Sequence, residues 1–283
     1  IPPLDFVIID RDEKLIIGNT KVQFYGTTHS IPDSMGIIID TPYGWITTPG
    51  DFKLDHKDGI PTADEEANYE LFDGTNVLLL LGESTNVENP GFSTPESVVH
   101  ENLEDIVRTM TGRMIMGMFA SHAFRIAKVV EACEKYGKKV VIEGRSMKNN
   151  IDIMIQAGVM KVQKGTIISS QEMAHHAPDK IVVLATGAQG DEFAALMRMA
   201  TKQHKYVILS ERDTVLLSSS IIPGNEKAVQ KIKDNISRLG ARIIHYRTSD
   251  VFIHATGHAN RGEIEWLHKK LRPKFFMPMH GPH

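Results

Sequence analysis

Residues 76–110 read NVLLLLGESTNVENPGFSTPESVVHENLEDIVRTM, and two textures meet inside them. The run Val77–Leu81 is apolar at every position, which predicts a central strand covered on both faces. Its last apolar residue is followed by Gly82 and Glu83. Further on, Thr94 reads as a helix N-cap and Pro95 as the first helical residue. Val99, Leu103, Ile106 and Met110 then mark one face of a helix. The stretch therefore closes a strand-rich segment and opens a helical one.

Upstream, KVQFYG (21–26), GIIIDT (36–41) and GWITTPG (44–50) are short runs rich in β-branched and aromatic residues, with the turn TPYG (41–44) between two of them. Downstream, strands and helices alternate. A helix over 123–136 ends at Gly137. A strand at Lys139–Ile142, a helix over 149–157, a strand at Ile181–Ala185, a helix from Glu192 to Thr201 and a strand at Tyr206–Leu209 follow. Thr214–Ser218 then precedes a helix over 225–239. This alternation predicts a mostly parallel sheet flanked by helices. A strand at 251–254, a helix over 262–271 and a strand over 274–279 return to the earlier style. The chain is thus divided as 1–92, 93–255 and 256–283, with the middle part inserted into the outer two. It has no internal repeat and no low-complexity segment.

The 283 residues are 41% hydrophobic and 24% charged, with a formal net charge of -3. No global basic field marks a nucleic-acid binder, so such a partner would meet a local patch. The single cysteine, Cys133, excludes an intramolecular disulfide, fits a reducing compartment, and lies on a helix face with Ile126, Val129 and Val130. No apolar run approaches the roughly 20 residues of a membrane span, and no signal peptide is visible. The chain starts with Ile1 rather than Met, and both ends read as lying inside domains.

Four polar residues sit at strand exits, where a rigid scaffold presents chemistry. His29 follows one strand in FYGTTHSIPDS (24–34), Asp51 another in TTPGDFKLD (47–55), Glu83 the Val77–Leu81 run, and His280 the last strand in FFMPMHG (275–281). Imidazole and carboxylate suit zinc and similar ions. Each also has a plain reading: a solvated loop histidine, an Asp bonded to its own turn, a capping Glu. In HATGHANRGEIEWL (254–267), Gly257 argues against one helix joining His254 and His258. The turn before the next helix could hold a phosphate through backbone N–H groups, Thr256 and His258, or Asn260 could simply cap that helix. The loops ATGAQGDE (185–192) and LLSSSIIPGNE (216–226) follow apolar strands, at the edge where open parallel sheets bind ligands, and Gly187 and Gly190 would permit close backbone approach. GAQG lacks the lysine of a nucleotide-triphosphate loop. His175 and His176 read as solvated residues of a connector.

Taken together, TTHSIPDSMGIIIDTPYGWITTPGDFKLD, GESTNVENPGFSTPE, EGRSMKNNI, ATGAQGDE, SSSIIPGNE and ATGHANRGEIEWLHKKLRPKFFMPMHG closely resemble the ribonuclease J family, in order along nearly the whole chain. The resemblance implies a partial metallo-β-lactamase αββα sandwich with an inserted β-CASP α/β domain. It implies a hydrolase in which two zinc ions, or Mn2+ or Mg2+, activate water for in-line attack on an RNA phosphodiester. Metal ligands would be His29, Asp51 and His280. Glu83, where the family usually has Asp, would orient metal-site groups, and His258 would contact the scissile phosphate and assist proton transfer. Substrate contacts would come from Ser121, Arg125, Arg145, Ser146, Ser218, Ser219, Ser220, Thr256, Gly257 and Asn260. The implied partner is single-stranded RNA, preferably with a 5′-monophosphate, cut by endonuclease and 5′-to-3′ exonuclease action in cytoplasmic RNA processing and decay, by a dimer or tetramer and with no membrane partner.

Departures are visible. The family pattern SGHAS reads TGHAN here, and ASNxHR reads ASHAFR, so His122 and Phe124 replace Asn and His. The H-x-H-x-D-H motif that supplies most ligands of both metals is absent, as is the family's small C-terminal domain. The chain alone is therefore expected to hold two zinc ions poorly and to be inactive. Two alternatives stay open: a catalytically inactive RNA-binding or assembly subunit, and another β-CASP nuclease acting on RNA 3′ ends or on DNA.

Overall fold

The computed structural model describes residues 6–191 and 194–281. They form two compact units: one runs through Pro95 and resumes at Thr256, and the other is Glu96–Ala255.

The first unit is built on β1 (Lys14–Ile17), β2 (Thr20–Gly26), β3 (Met35–Thr41), β4 (Gly44–Thr48), the small β5 (His56–Lys57) and β6 (Ile60–Pro61) pair, helix α1 (Ala63–Asn68), β7 (Val77–Glu83), helix α7 (Arg261–Leu271) and β14 (Phe275–Met279). Its six-stranded sheet has the order β1-β2-β3-β4-β7-β14. The first four strands meander antiparallel, but β4, β7 and β14 run parallel to one another. One face is closed. Ile38, Thr47 and Leu80 stand in register across β3, β4 and β7, each about 1% exposed, under a core that includes Tyr25, Phe52, Leu54, Tyr69, Phe72 and Leu267.

The other face is open. Leu15, Val22, Ile39, Ile46, Leu79 and Phe275 form one apolar row across all six strands, and none of them is buried. Ile37, Ile39, Phe275 and Met277 are 38%, 37%, 55% and 52% exposed. The expectation of a β7 covered on both faces is thus corrected: β7 is interior to the sheet, yet Leu79 and Leu81 on its second face are only half-buried. A contiguous apolar sheet face of this kind marks an interaction surface.

The second unit holds α2 (Glu96–Thr109), β8 (Met114–Met118), α3 (Ala123–Lys135), β9 (Lys139–Glu143), α4 (Arg145–Gln156), β10 (Ile167–Ile168), β11 (Ile181–Ala185), α5 (Ala195–Ala200), β12 (Thr214–Ser218), α6 (Glu226–Arg238) and β13 (Arg242–His245). Every pairing in the order β10-β9-β11-β8-β12-β13 is parallel. The central strands β8, β11 and β12 are buried on both faces, as their continuous Val, Ile, Leu and Met content requires. One core packs α2, α3 and α4 against the sheet and the other packs α5 and α6. Cys133 is fully buried in the first, and burial pushes its thiol up to about 12, which makes it a core residue and no nucleophile.

Two expected strands do not form. Among the described residues Tyr206–Leu209 and 251–254 pair with no strand, although Val207, Leu209 and Ile253 are buried. Helix α5 begins at Ala195; the expected start, Glu192, lies outside the described residues. Gly187 and Gly190, at φ +98° and +90°, do allow close approach, but to the protein itself: a Cβ on Gly190 would stand 2.5 Å from the Ala228 backbone of α6. His175 is exposed and His176 half-buried in their connector.

At the end of β13, burial holds the His245 imidazole down at about 4. An unfolded histidine titrates near 6.5. Between these values the unfolded chain binds more protons, so stability is expected to fall as pH drops from about 6.5 to about 4. Urea melts across that range test this, and His245→Gln is expected to flatten the loss. Among the described residues, no helix is long and apolar enough to cross a membrane.

Candidate active site

Because β2, β4, β7 and β14 all point the same way, their C-terminal ends share one edge of the sheet. Asp51 leaves that edge after β4, Glu83 ends β7, and His280 follows β14, where Met279 pairs with Glu83. His29 follows β2, its loop tied to the Asp51 loop by the Thr28–Lys53 bridge.

The geometry joins these side chains in pairs. His280 Nδ1 lies 3.0 Å from Asp51 Oδ1, the histidine exposed and the aspartate half-buried. Glu83 is 2% exposed. Its Oε1 accepts from the backbone N–H groups of Phe52 and Ala259, each at 3.1 Å, and its Oε2 meets His258 Nδ1 at 3.1 Å and the Thr85 N–H at 3.4 Å. Burial alone would raise the Glu83 carboxyl; the bond to His258, its charge and the backbone donors outweigh that and hold it below the usual range. In turn the bond to Glu83 raises the His258 imidazole against its own burial. Ligand atoms of Asp51, Glu83 and His258 lie within 4.8 Å of one another.

His29 Nδ1 donates to the Gly257 carbonyl at 2.8 Å, which leaves Nε2 with its lone pair, the tautomer of a metal-ligating histidine. Its ring stands edge-on to His258, centroids 5.6 Å apart. Gly257 is required there: a Cβ would come 2.8 Å from His29 Cε1. Gly257→Ala is therefore expected to displace His29, seen as a shift of its imidazole resonances, while the melting temperature changes little.

The second element of the site is the turn 256–260. Thr256 Oγ1 accepts from the His258 N–H at 3.1 Å and from Asn86 Nδ2 at 3.2 Å. Asn260 occupies the N-cap position of α7, the plainer of its two readings. Glu263, wholly buried, receives the N–H groups of Leu54, Ser93 and Asn260 and so clamps three segments under the site. Lys53, also buried, donates to the carbonyls of Thr94 and Thr256 at 3.1 and 3.3 Å. Neither was singled out from sequence; a charged residue inside GDFKLD and a Glu three places after an N-cap Asn were the available signals.

The remaining residues expected at the site belong to the second unit. Arg125 is buried, 2% exposed, between Glu96, His122, His254 and the Ala255 carbonyl. Ser218, wholly buried, donates to the Ile253 carbonyl at 2.6 Å, and Ser219 is buried beside it. Gln189 braces the loop by donating to the Ser220 carbonyl at 2.6 Å. Ser121, Arg145 and Ser146 are exposed.

The donor set fits a divalent cation. Asp51 and His280 offer a carboxylate and an imidazole 3.0 Å apart, close to the spacing of roughly 3.0–3.5 Å expected for two donors about 2.0–2.2 Å from a shared ion. Glu83 fits such an ion less well, because both of its oxygens are already engaged.

Parallel strands with acidic and imidazole residues at their common edge in one unit, and an all-parallel sheet in the inserted unit, define a β-CASP protein of the metallo-β-lactamase superfamily. Residues 111–236 match the model of the ribonuclease J β-CASP domain. The chain belongs to the ribonuclease J family. It is 39% identical over 273 residues to ribonuclease J 1 of Streptococcus pyogenes serotype M3, covering 96% of this chain and 48% of that protein. It is 38% identical over 266 residues to ribonuclease J of Corynebacterium glutamicum (93% and 36%), and 37% identical over 274 residues to that of Thermus thermophilus (96% and 47%). The chain thus spans about half the length, or less, of these curated relatives. A crystal structure of a protein of unknown function from Enterococcus faecalis V583 shares the fold, with a TM-score of 0.69 at 13% identity over 98% of this chain and 62% of that one.

Proposed function

We propose that the complete protein is a metal-dependent ribonuclease that hydrolyses RNA phosphodiesters at the edge formed by β4, β7 and β14. The observation that supports this reading most is the pairing of Asp51 with His280 and of Glu83 with His258 at that edge. Asp51, His280 and His29 would hold the metal. When bound, a divalent cation supplies Lewis-acid activation of water and neutralises charge on the phosphate.

The chain's own residues divide the remaining work. Glu83, an acceptor only, fixes the His258 ring through Nδ1 and favours its charged form, so that Nε2–H points away from the carboxylate as a donor to a phosphate oxygen or a departing hydroxyl. The Thr256–Asn260 turn supplies short polar contacts beside it. Zinc as the ion, endonuclease with 5′-to-3′ exonuclease action, preference for a 5′-monophosphate, assembly into dimers or tetramers and a cytoplasmic location extend the same reading. So does coverage of the open sheet face by a further part of the complete protein.

His258→Ala in the complete protein is expected to lower turnover on 5′-monophosphorylated RNA by about 10²–10⁴-fold, with metal content unchanged. A substrate panel of 5′-monophosphate, 5′-triphosphate and 3′-blocked RNA, with single-stranded DNA, distinguishes this reading from its rivals. Full turnover in the variant removes His258 from the mechanism, and metal-loaded protein that binds RNA without cutting it leaves a binding subunit.

A further inference from the structure

Outside the C-terminal ends of β9 and β10 the second unit has a cleft of about 650 Å³ with no part in the site above. That edge of an open parallel sheet, between helices on opposite faces, is where such folds bind ligands, and the volume lies within the roughly 300–1,000 Å³ of small-molecule sites.

Its floor is a buried acid–imidazole pair. His204 Nε2 lies 3.2 Å from Glu143 Oε2, the side chains 5% and 9% exposed. His204 Nδ1 accepts the N–H groups of Val207 at 3.0 Å and Tyr206 at 3.4 Å. The ring proton therefore sits on Nε2 and is donated to Glu143. Ser170 donates to the other carboxylate oxygen. Burial would raise the Glu143 carboxyl, but the bonds from His204 and Ser170 outweigh it and hold it below the usual range. Each carboxylate oxygen has one protein partner, and an ionised carboxylate can accept more than two hydrogen bonds, so Glu143 in the cleft lining suits a vicinal diol.

Around the mouth stand Lys148 of α4, Arg198 of α5 and Lys205, all exposed and none in an ion pair among the described residues. Among the described residues, Asp152 is the other acid in the lining. Beside them Tyr206 is 37% exposed, its hydroxyl held by Gln171 Nε2 at 2.7 Å. Carboxylate floor, cationic mouth and aromatic wall correspond to ribose, phosphate and base.

We propose that this cleft binds a nucleoside monophosphate, either free or as the end of an RNA chain, with Glu143 on the ribose hydroxyls, Arg198, Lys148 and Lys205 on the phosphate, and Tyr206 against the base. The inference does not depend on the hydrolytic reading.

Isothermal titration of the complete protein with AMP, dAMP, adenosine and inorganic phosphate tests it. AMP is expected to saturate one site, with dAMP, adenosine and inorganic phosphate each bound at least about tenfold more weakly, as for the loss of one good charge-assisted contact. Arg198→Ala is expected to weaken AMP at least tenfold, Glu143→Gln to erase the preference for AMP over dAMP, and His258→Ala to change neither. Arg198 is exposed, so its variant reports on binding even if Glu143→Gln unfolds. Displacement of AMP by a short oligoribonucleotide identifies a chain end as the ligand; AMP binding without displacement identifies the free nucleotide. No binding of AMP, equal affinity for AMP and inorganic phosphate, or binding lost in His258→Ala but kept in Arg198→Ala overturns the proposal.

Discussion

Asp51→Ala in the complete protein is expected to abolish RNA hydrolysis, by about 10³-fold or more, while the fold survives. The carboxylate is partly exposed and its bonded neighbour is the solvent-facing His280. No buried group is stranded by its removal, so the melting temperature of the metal-free protein should scarcely move. What is lost is the anionic member of the donor set. A bound cation supplies several kcal/mol of charge stabilisation in such reactions, and about 4 kcal/mol corresponds to a factor of about 10³. Metal analysis should show reduced content in the same preparation. Wild-type turnover with a full metal complement in Asp51→Ala would remove Asp51 from the site.

Glu83→Gln is expected to behave differently, and the contrast is informative. The side chain is buried, and its two oxygens gather three backbone N–H groups and the His258 ring. An amide in its place turns an NH2 toward groups that are themselves donors. Leaving one or two buried donors without an acceptor costs about 2–4 kcal/mol, so the melting temperature should drop clearly. Turnover should fall by about 10²–10⁴-fold as His258 loses its orienting partner, yet metal content should stay near that of the wild type. Metal loss equal to that of Asp51→Ala would make Glu83 a ligand rather than a positioning residue.

Much of this arrangement can be read from particular residues before any coordinates. His29, Asp51, Glu83 and His280 all stand just past apolar runs, and parallel strands necessarily bring such ends to one edge. The alternation after residue 93 foretells the parallel sheet because a buried parallel strand needs apolar residues on both faces. Other features were less legible. The Val77–Leu81 run carries apolar residues on both faces, and composition cannot reveal that one of these faces is left open. Along Tyr206–Leu209, Val207 and Leu209 are buried while Ile208 is 58% exposed. That alternation is satisfied by burial alone, without a strand ladder. Arg125 illustrates a different limit. An arginine in a ligand-like loop reads as a phosphate contact, yet here its guanidinium is enclosed by Glu96, two histidines and a carbonyl that lie up to 130 residues away in the chain. Lys53, Glu263 and Gln189 likewise act through partners brought near only by folding.

The proposed hydrolysis requires a metal ion at the edge where β4, β7 and β14 end. Crystals of the complete protein grown with zinc or manganese, with anomalous diffraction recorded at the metal edge, test it most directly. A peak is expected within about 2.0–2.3 Å of both an Asp51 oxygen and a His280 nitrogen, with Glu83 still bonded to His258. A fully occupied metal elsewhere, with Asp51 and His280 left without one, would contradict it.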